Sequence, residues 1–333
     1  MKQLFKPEDI ERKVVLILKI LHDSQEPLGA RVIARKMSEH DVQLSERTVR
    51  YHLKIMDERG LTRLVGRRDG RIITEQGLNE ISDARVQDKI GLSISRIDVL
   101  SFKTTFDVKK KRGLVPVNVS FFHQEQFSQA LKVMTPVFQK KLSVSSRVCV
   151  AQAGKTIGDI VVPKDKIGLA TICSIVINSA LLKNGIPIDS KFGGILQIRN
   201  GKPLRFVELI HYAGSSLDPS EIFIRGKMTS VRKVAKEGEG KILANFREIP
   251  TISRSLVDDI IDDFTKVGIH GVLAIGSTGY PVCQTNVDMN KIGMILIGGL
   301  NPVAAACEEG FDVETKAMST VMEYERLHDI ETF

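Results

Sequence analysis

Cysteine is scarce in this chain of 333 residues, and the four present, Cys149, Cys173, Cys283 and Cys307, stand far apart. No C-x-x-C pair occurs and no histidine sits at finger spacing, which argues against a structural zinc site and a secreted disulfide framework. The seven histidines form no H-x-x-x-H pair. No apolar run approaches membrane-spanning length, and Met1 to Glu11 is too charged for a signal peptide. These absences predict a cytoplasmic protein with reduced thiols, no metal and no membrane contact. Neither sign of charge dominates: the net charge of +8 permits a polyanionic partner without demanding one. The hydrophobic fraction of 42% fits ordinary globular domains, and the length suggests about two or three of them.

Catalytic motifs are missing too. Ala153-Gly154-Lys155-Thr156 has the end of a phosphate-binding loop, but the frame needs a glycine five residues before Gly154, and Cys149 stands there. Gly276-Ser277-Thr278-Gly279 lacks the G-x-S-x-G frame of a nucleophile elbow. The expectation is a non-enzyme with no catalytic residue and no cofactor.

What is present begins with an amphipathic helix, Pro7 to His22, whose Ile10, Val14, Ile17, Leu18 and Leu21 recur at three- and four-residue steps. Pro27-Leu28-Gly29 breaks the chain, and Ala30 to Met37 is a second, short helix. Ser45 can cap a third, which runs to about Arg59 and ends at Gly60. Its Val49, Leu53 and Met56 share a core face, which leaves Arg47, Thr48, Arg50, Tyr51 and Lys54 on the surface. Leu61 to Val65 and Arg71 to Thr74 then form a hairpin whose tip carries Arg67 and Arg68 between Gly66 and Gly70. Between Leu44 and Arg71 eight Lys/Arg face four acids, half of the whole chain's surplus. Three helices and a basic-tipped hairpin predict a winged helix-turn-helix over residues 1–85 that binds double-stranded DNA. Arg47, Thr48, Arg50 and Tyr51 are placed to reach bases; Lys54, Arg67 and Arg68 are placed to hold phosphates. The alternative is a winged helix that docks a protein partner.

From residue 86 onward the chain repeats itself. Lys166-Ile167-Gly168-Leu169 recurs as Lys291-Ile292-Gly293-Met294, an offset of 125. The same offset pairs Val148-Cys149-Val150 with Leu273-Ala274-Ile275, Gly154 with Gly279, Phe121 with Phe246 and Leu131 with Leu256. Residues 86–333 are therefore read as an internally duplicated domain, its halves at about 114–193 and 239–318. Each half runs strand, helix, strand, glycine turn, strand and helix, an α+β fold with α/β-like order. Phe192 to Tyr212 reads as a hairpin turning at Asn200-Gly201, and two related lobes predict a cleft on the axis between them.

Several segments carry a family resemblance: Thr171 to Asn178, Asn184-Gly185-Ile186-Pro187, Phe192-Gly193-Gly194, Arg205 to Ile210, Ser216-Leu217-Asp218-Pro219 and Gly298-Gly299-Leu300-Asn301-Pro302. They resemble the effector domain of the NrpR family, nitrogen-regulation repressors of methanogenic archaea, and the likeness runs from about residue 8 to the C-terminus. The resemblance implies a homodimer that binds inverted-repeat operators of nitrogen-assimilation genes and responds to 2-oxoglutarate as allosteric effector. With one effector domain after its winged helix, the chain looks like the DNA-binding partner of an effector-only homologous subunit. Such a dicarboxylate needs N–H donors or cations in a sheltered cleft. The candidates are the Cys173-Ser174 junction with Asn178, a Gly193-Gly194 turn, the Gly298-Gly299 junction with Asn301, and the charge of Arg205 or Arg225. The expected switch is the angle between lobes or subunits. Two other readings compete: an enzyme with an autoregulatory winged helix, and a docking protein that binds nothing small.

Overall fold

Helix α1 (Pro7–Asp23) forms where apolar spacing predicts it and buries Val14, Ile17, Leu18 and Leu21. Helices α2 (Ala30–Ser38) and α3 (Glu46–Glu58) close on it with Ile33, Met37, Val49, Leu53 and Met56, all fully buried. Ser45 caps α3: its hydroxyl accepts from the Thr48 amide at 3.1 Å. Strands β1 (Thr62–Gly66) and β2 (Gly70–Ile73) pair antiparallel, and Leu28 adds a bridge to Arg71. Asp57 lashes this hairpin to α3, accepting from Thr62 Oγ1 at 2.6 Å and from Arg71 Nε at 2.7 Å. This is the winged helix-turn-helix of the sequence reading.

A further helix, α4 (Glu75–Asp83), is invisible to pattern because Gly77 sits in its first turn. A Cβ at Gly77 would stand 2.2 Å from the Leu61 carbonyl oxygen, so packing demands glycine against helix propensity. The computed structural model describes residues 7–24, 26–40, 42–66, 70–83 and 92–333. Its contacts divide the chain into two units, Met1–Ser95 and Arg96–Phe333, the boundary falling inside α5 (Leu92–Lys103).

In the second unit the same order of elements occurs twice. First come β3 (Leu114–His123), α6 (Phe127–Gln139), β4 (Arg147–Ala151), the short hairpin β5 (Thr156–Ile157) and β6 (Ile160–Val161), β7 (Lys166–Ile172), α7 (Ile175–Lys183) and β8 (Asp189–Arg199). After the edge strand β9 (Lys202–His211), α8 (Pro219–Arg225) and α9 (Val231–Glu237), the order returns. It runs β10 (Gly240–Pro250), α10 (Arg254–Lys266), β11 (Val272–Ile275), β12 (Lys291–Ile297), α11 (Asn301–Glu308) and β13 (Val313–Glu323). Strands β7 and β12 lie at the offset of 125 at both ends, and the Ile157–Ile160 pair has its counterpart in the Val282–Thr285 bridge.

The recurring Lys-Ile-Gly has a packing cause. A Cβ on Gly168 would lie 2.7 Å from Val162 and 2.9 Å from Ile157; on Gly293 it would lie 2.6 Å from Val282 and 2.8 Å from Val287. Each small hairpin thus folds over a bare patch of strand, and only glycine leaves the room.

The two sheets show what the repeat does not. One is ordered β13-β3-β7-β4-β14, with β14 spanning His328–Asp329; the other is β11-β12-β10-β8-β9. Strand β8, the last of the first half, pairs with β10 of the second, while β13, the last of the second half, pairs with β3 of the first. The halves exchange their final strands reciprocally, so they are not lobes that hinge past one another. The expected lobe angle is corrected on that ground: residues 96–333 form one unit. The β8–β9 hairpin turns at Asn200 (φ 51°) and Gly201 (φ 70°), the pair of left-handed residues that a tight hairpin turn requires.

Candidate functional site

Helix α3 presents an outer face to solvent. Arg47, Arg50 and Lys54 are exposed, Tyr51 is 64% exposed, and Thr48 is half-buried with its hydroxyl 2.8 Å from that of Ser45. Arg50 pairs with Glu46, and Lys54 lies 3.9 Å from Glu58. Both are exposed one-turn pairs of the weak kind that a phosphate displaces at little cost. Two other basic residues of the region have structural jobs: Arg71 holds Asp57, and Arg59 holds Glu80 at 3.0 Å. Arg67 and Arg68 lie outside the described residues.

In the second unit the strand exchange brings two equivalent strand-to-helix junctions together, Cys173-Ser174 before α7 and Gly298-Gly299 before α11. A Cβ on Gly299 would stand 2.4 Å from the Ile172 carbonyl oxygen and 2.8 Å from Asn118 Nδ2, so the second junction rests directly on the first half. A cavity opens there, walled by Cys173, Ser174, Tyr212, Asp218, Arg247 and Gly299, among others. Two helix N-termini meet at it, each the positive end of a dipole.

Its polar groups form one network. The Tyr212 hydroxyl donates to Asn245 Oδ1 at 2.5 Å, and Asn245 Nδ2 donates to Ser174 Oγ at 3.2 Å. Arg247 is 1% exposed, and its guanidinium carbon stands 4.9 Å over the Tyr212 ring. Its Nε reaches Asn178 Oδ1 at 3.5 Å, its Nη1 donates to the Phe246 carbonyl at 3.2 Å, and Asn178 Nδ2 donates on to Ser190 at 3.1 Å. Burial pushes the Cys173 thiol up to about 11 and the Tyr212 phenol up to about 12, so both stay neutral. Burial also raises Asp218, whose Oδ1 accepts from the Ser220 and Glu221 amides at the start of α8. The cavity thus sets the Arg247 guanidinium and two helix N-termini beside the neutral Cys173 and Tyr212, a donor set that suits a carboxylate, with Asp218 as the acid of its lining. Its free space is about 20 Å³, room for one water molecule.

One wall is irregular. Strand β13 breaks register between Lys316 and Thr320, and Met318 takes φ 47°. The Met318 amide donates to Asn118 Oδ1 at 3.0 Å and the Ala317 amide to Glu221 Oε1 at 2.8 Å. A bulge of this kind beside a cavity aims side chains and backbone at what the cavity holds.

The structure sorts the sequence candidates. Cys173, Ser174, Gly298 and Gly299 line the cavity, and Asn178 stands behind it as the partner of Arg247. Gly193 and Gly194 lie inside β8 and form no turn. A Cβ on Gly193 would lie 3.1 Å from the Tyr212 hydroxyl, and one on Gly194 would lie 2.7 Å from the Phe206 ring. Asn301 clamps the Leu243 backbone, accepting from its amide at 2.8 Å and donating to its carbonyl at 3.1 Å. Arg205 is exposed on β9 and bonded to Gln197, and the Arg225 side chain is 76% exposed beside Glu221. Neither lines the cavity. The charge comes from Arg247, which the sequence reading missed. Its signal was an arginine set within the apolar strand Ile242 to Pro250.

Gly154 (φ 77°) turns the chain between β4 and β5, in keeping with the rejection of a phosphate loop. Asp189, Glu248 and Asp288 bring carboxylate oxygens within 4.8 Å of one another, around the Lys191 ammonium at 2.9, 3.2 and 2.7 Å. No helix among the described residues is long and apolar enough to cross a membrane.

A family model for the NrpR regulatory domains NRD1 and 2 matches residues 90–329, and one for the ribonuclease R winged-helix domain matches residues 15–81. The chain is 39% identical, over 96% of its length and 98% of the other's, to a protein of Methanosarcina mazei named global nitrogen regulator NrpRI. Global nitrogen regulators NrpR of Methanocaldococcus jannaschii and Methanococcus maripaludis are 33% and 32% identical over 97% and 91% of the chain. It spans only about half of those two longer proteins, 56% and 52%. Among solved structures, a nitrogen repressor-like protein from Methanococcus jannaschii matches with a TM-score of 0.62 at 28% identity, covering 72% of this chain and 99% of that one.

Proposed function

The chain belongs to the NrpR family of nitrogen regulators, and from that premise we propose that it represses nitrogen-assimilation genes by binding inverted-repeat operator DNA as a homodimer. The observation that carries the DNA reading is α3, which buries Val49, Leu53 and Met56 while presenting Arg47, Arg50, Tyr51 and Lys54. In a dimer two such helices enter successive major grooves about 34 Å apart. We place it in the cytoplasm, and a regulator rather than an enzyme accords with the names of its relatives.

The effector is 2-oxoglutarate, taken up at the cavity between the two junctions, where Arg247 and the N-termini of α7 and α11 supply the charge. The water-sized cavity must widen to admit it, and the irregular wall at Ala317 to Ser319 is the segment that yields. An effector shifts the repressor only as far as it favours one state over the other, so the effector-bound form is the widened one and the DNA-binding form is the closed one. With halves tied by exchanged strands, the change is delivered to subunit geometry.

The test is binding of the purified chain to a labelled promoter fragment of a nitrogen-assimilation operon, with and without millimolar 2-oxoglutarate. A specific complex that weakens with the ligand supports both parts. A complex indifferent to it leaves the DNA reading standing and removes the effector. Full affinity and full response by the chain alone would discard the need for an effector-only subunit.

A further inference from the structure

The second unit carries a groove of about 820 Å³ between α6, α9 and the chain leading into α9, which shares no lining residue with the anion cavity. Its floor is apolar, made by Val133, Pro136, Val137 and Ala235. Lys132, Lys227, Lys233 and Lys236 stand exposed around it and make no salt bridge among the described residues. Glu308, the acid of the lining, is consumed: its carboxylate accepts from the Thr229 hydroxyl and the amides of Val231 and Arg232. An apolar strip flanked by four exposed lysines fits an amphipathic helix whose apolar residues are flanked by acids. A duplex backbone would use the lysines but not the floor.

The same chain carries such a helix. α10 holds Asp258, Asp259, Asp262 and Asp263. Just before it Ile252 is 94% exposed, and within it Leu256 is 43% exposed. Ile252, Leu256, Asp259 and Asp263 follow one another at three- and four-residue steps, hence along one stripe. Asp258 and Asp263 are paired within the helix with Arg254 and Lys266, while Asp259 and Asp262 make no salt bridge among the described residues.

We propose that the groove receives α10 of a second copy of this chain, the Ile252–Leu256 pair on its floor and Asp259 and Asp262 among its lysines. Each copy carries one groove and one α10, so two copies satisfy both sets of charges reciprocally, as a closed pair requires. The inference rests on the homodimer reading and assigns that dimer a surface.

The experiment is sedimentation equilibrium of the full chain at low and high salt, with two charge-reversed variants, K233E/K236E and D259K/D262K. Each variant alone brings like charges together and should weaken self-association about tenfold or more, with the wild-type dimer itself loosening in salt. An equimolar mixture of the two variants should associate again, because reversed groove meets reversed helix at one contact and parent groove meets parent helix at the other. A wild-type dimer that neither variant disturbs overturns the surface and leaves the dimer standing. Losses without recovery in the mixture overturn the pairing of groove with α10, and so does a K233E/K236E variant that loses only affinity for random-sequence duplex. A wild-type chain that stays monomeric overturns both the surface and the dimer.

Discussion

Arg247 is the side chain whose burial most needs a reason, because a guanidinium at 1% exposure has given up water for three partners, Asn178, the Phe246 carbonyl and the Tyr212 ring. Arg247→Lys keeps the charge and loses the planar fork. It should weaken 2-oxoglutarate binding by about tenfold or more, read by calorimetry, while circular dichroism stays that of the parent. Unaltered affinity in a folded variant would remove Arg247 from the site. On α3 the paired expectation is that Arg47→Ala or Arg50→Ala costs about 1–3 kcal/mol of operator affinity and relaxes sequence preference. Lys54→Ala should instead lower affinity for all duplexes alike and flatten the salt slope. His52 supplies a third prediction at this scale. Desolvation first, and the charge of Lys13 second, hold its pKa below the usual value, and its buried Nδ1 has no hydrogen-bond partner among the described residues. The folded form prefers neutral imidazole, so this stability is present above about pH 6.5 and is lost as pH falls through the lowered folded value. Exchange protection of α3 amides should drop between pH 7 and 5.5, and His52→Leu should flatten that drop.

At the scale of elements, caps and close approaches decide more than propensity does. Ser45→Ala removes the acceptor of the Thr48 amide and should cost the N-terminal unit about 1 kcal/mol, measurable by urea unfolding. Gly299→Ala is the sharper case, because its Cβ would meet backbone, not a movable side chain, at the Ile172 carbonyl. It should destabilise the second unit by roughly 1–3 kcal/mol and spread the two junctions apart. A neutral outcome would mean that the junctions do not pack as closely as drawn. Much at this scale is legible in sequence. The apolar spacing of α1 to α3, the Ser45 cap and the Asn200-Gly201 turn are local signals, each read within a few residues. α4 is not, because Gly77 is placed by the Leu61 backbone from another element.

For the whole molecule, the exchanged strands make a commitment that two independent lobes would not. β13 belongs by sequence to the second half but covers the edge of β3 in the first. A chain truncated after Asp312 should therefore lose amide protection in β3 and β7, not merely in its own half. Retained protection in the first sheet would show that the halves stand alone.

The sequence by itself determined the two kinds of fold, the order of elements shared by the repeated halves, the repeat at 125 residues and the basic face of α3. Each of those rests on periodicity, capping or spacing along the chain. Only the tertiary structure decided which half each closing strand serves and that Arg247, rather than Arg205 or Arg225, supplies the buried charge. Only there do Gly193 and Gly194 become strand residues beside neighbours that leave no space for a Cβ. The physical reason is the same in each case. Strand exchange, burial of a charge and the room for one carbon are properties of contacts between different elements, β13 against β3 and Gly194 against Phe206 alike, and no local pattern of polarity records them.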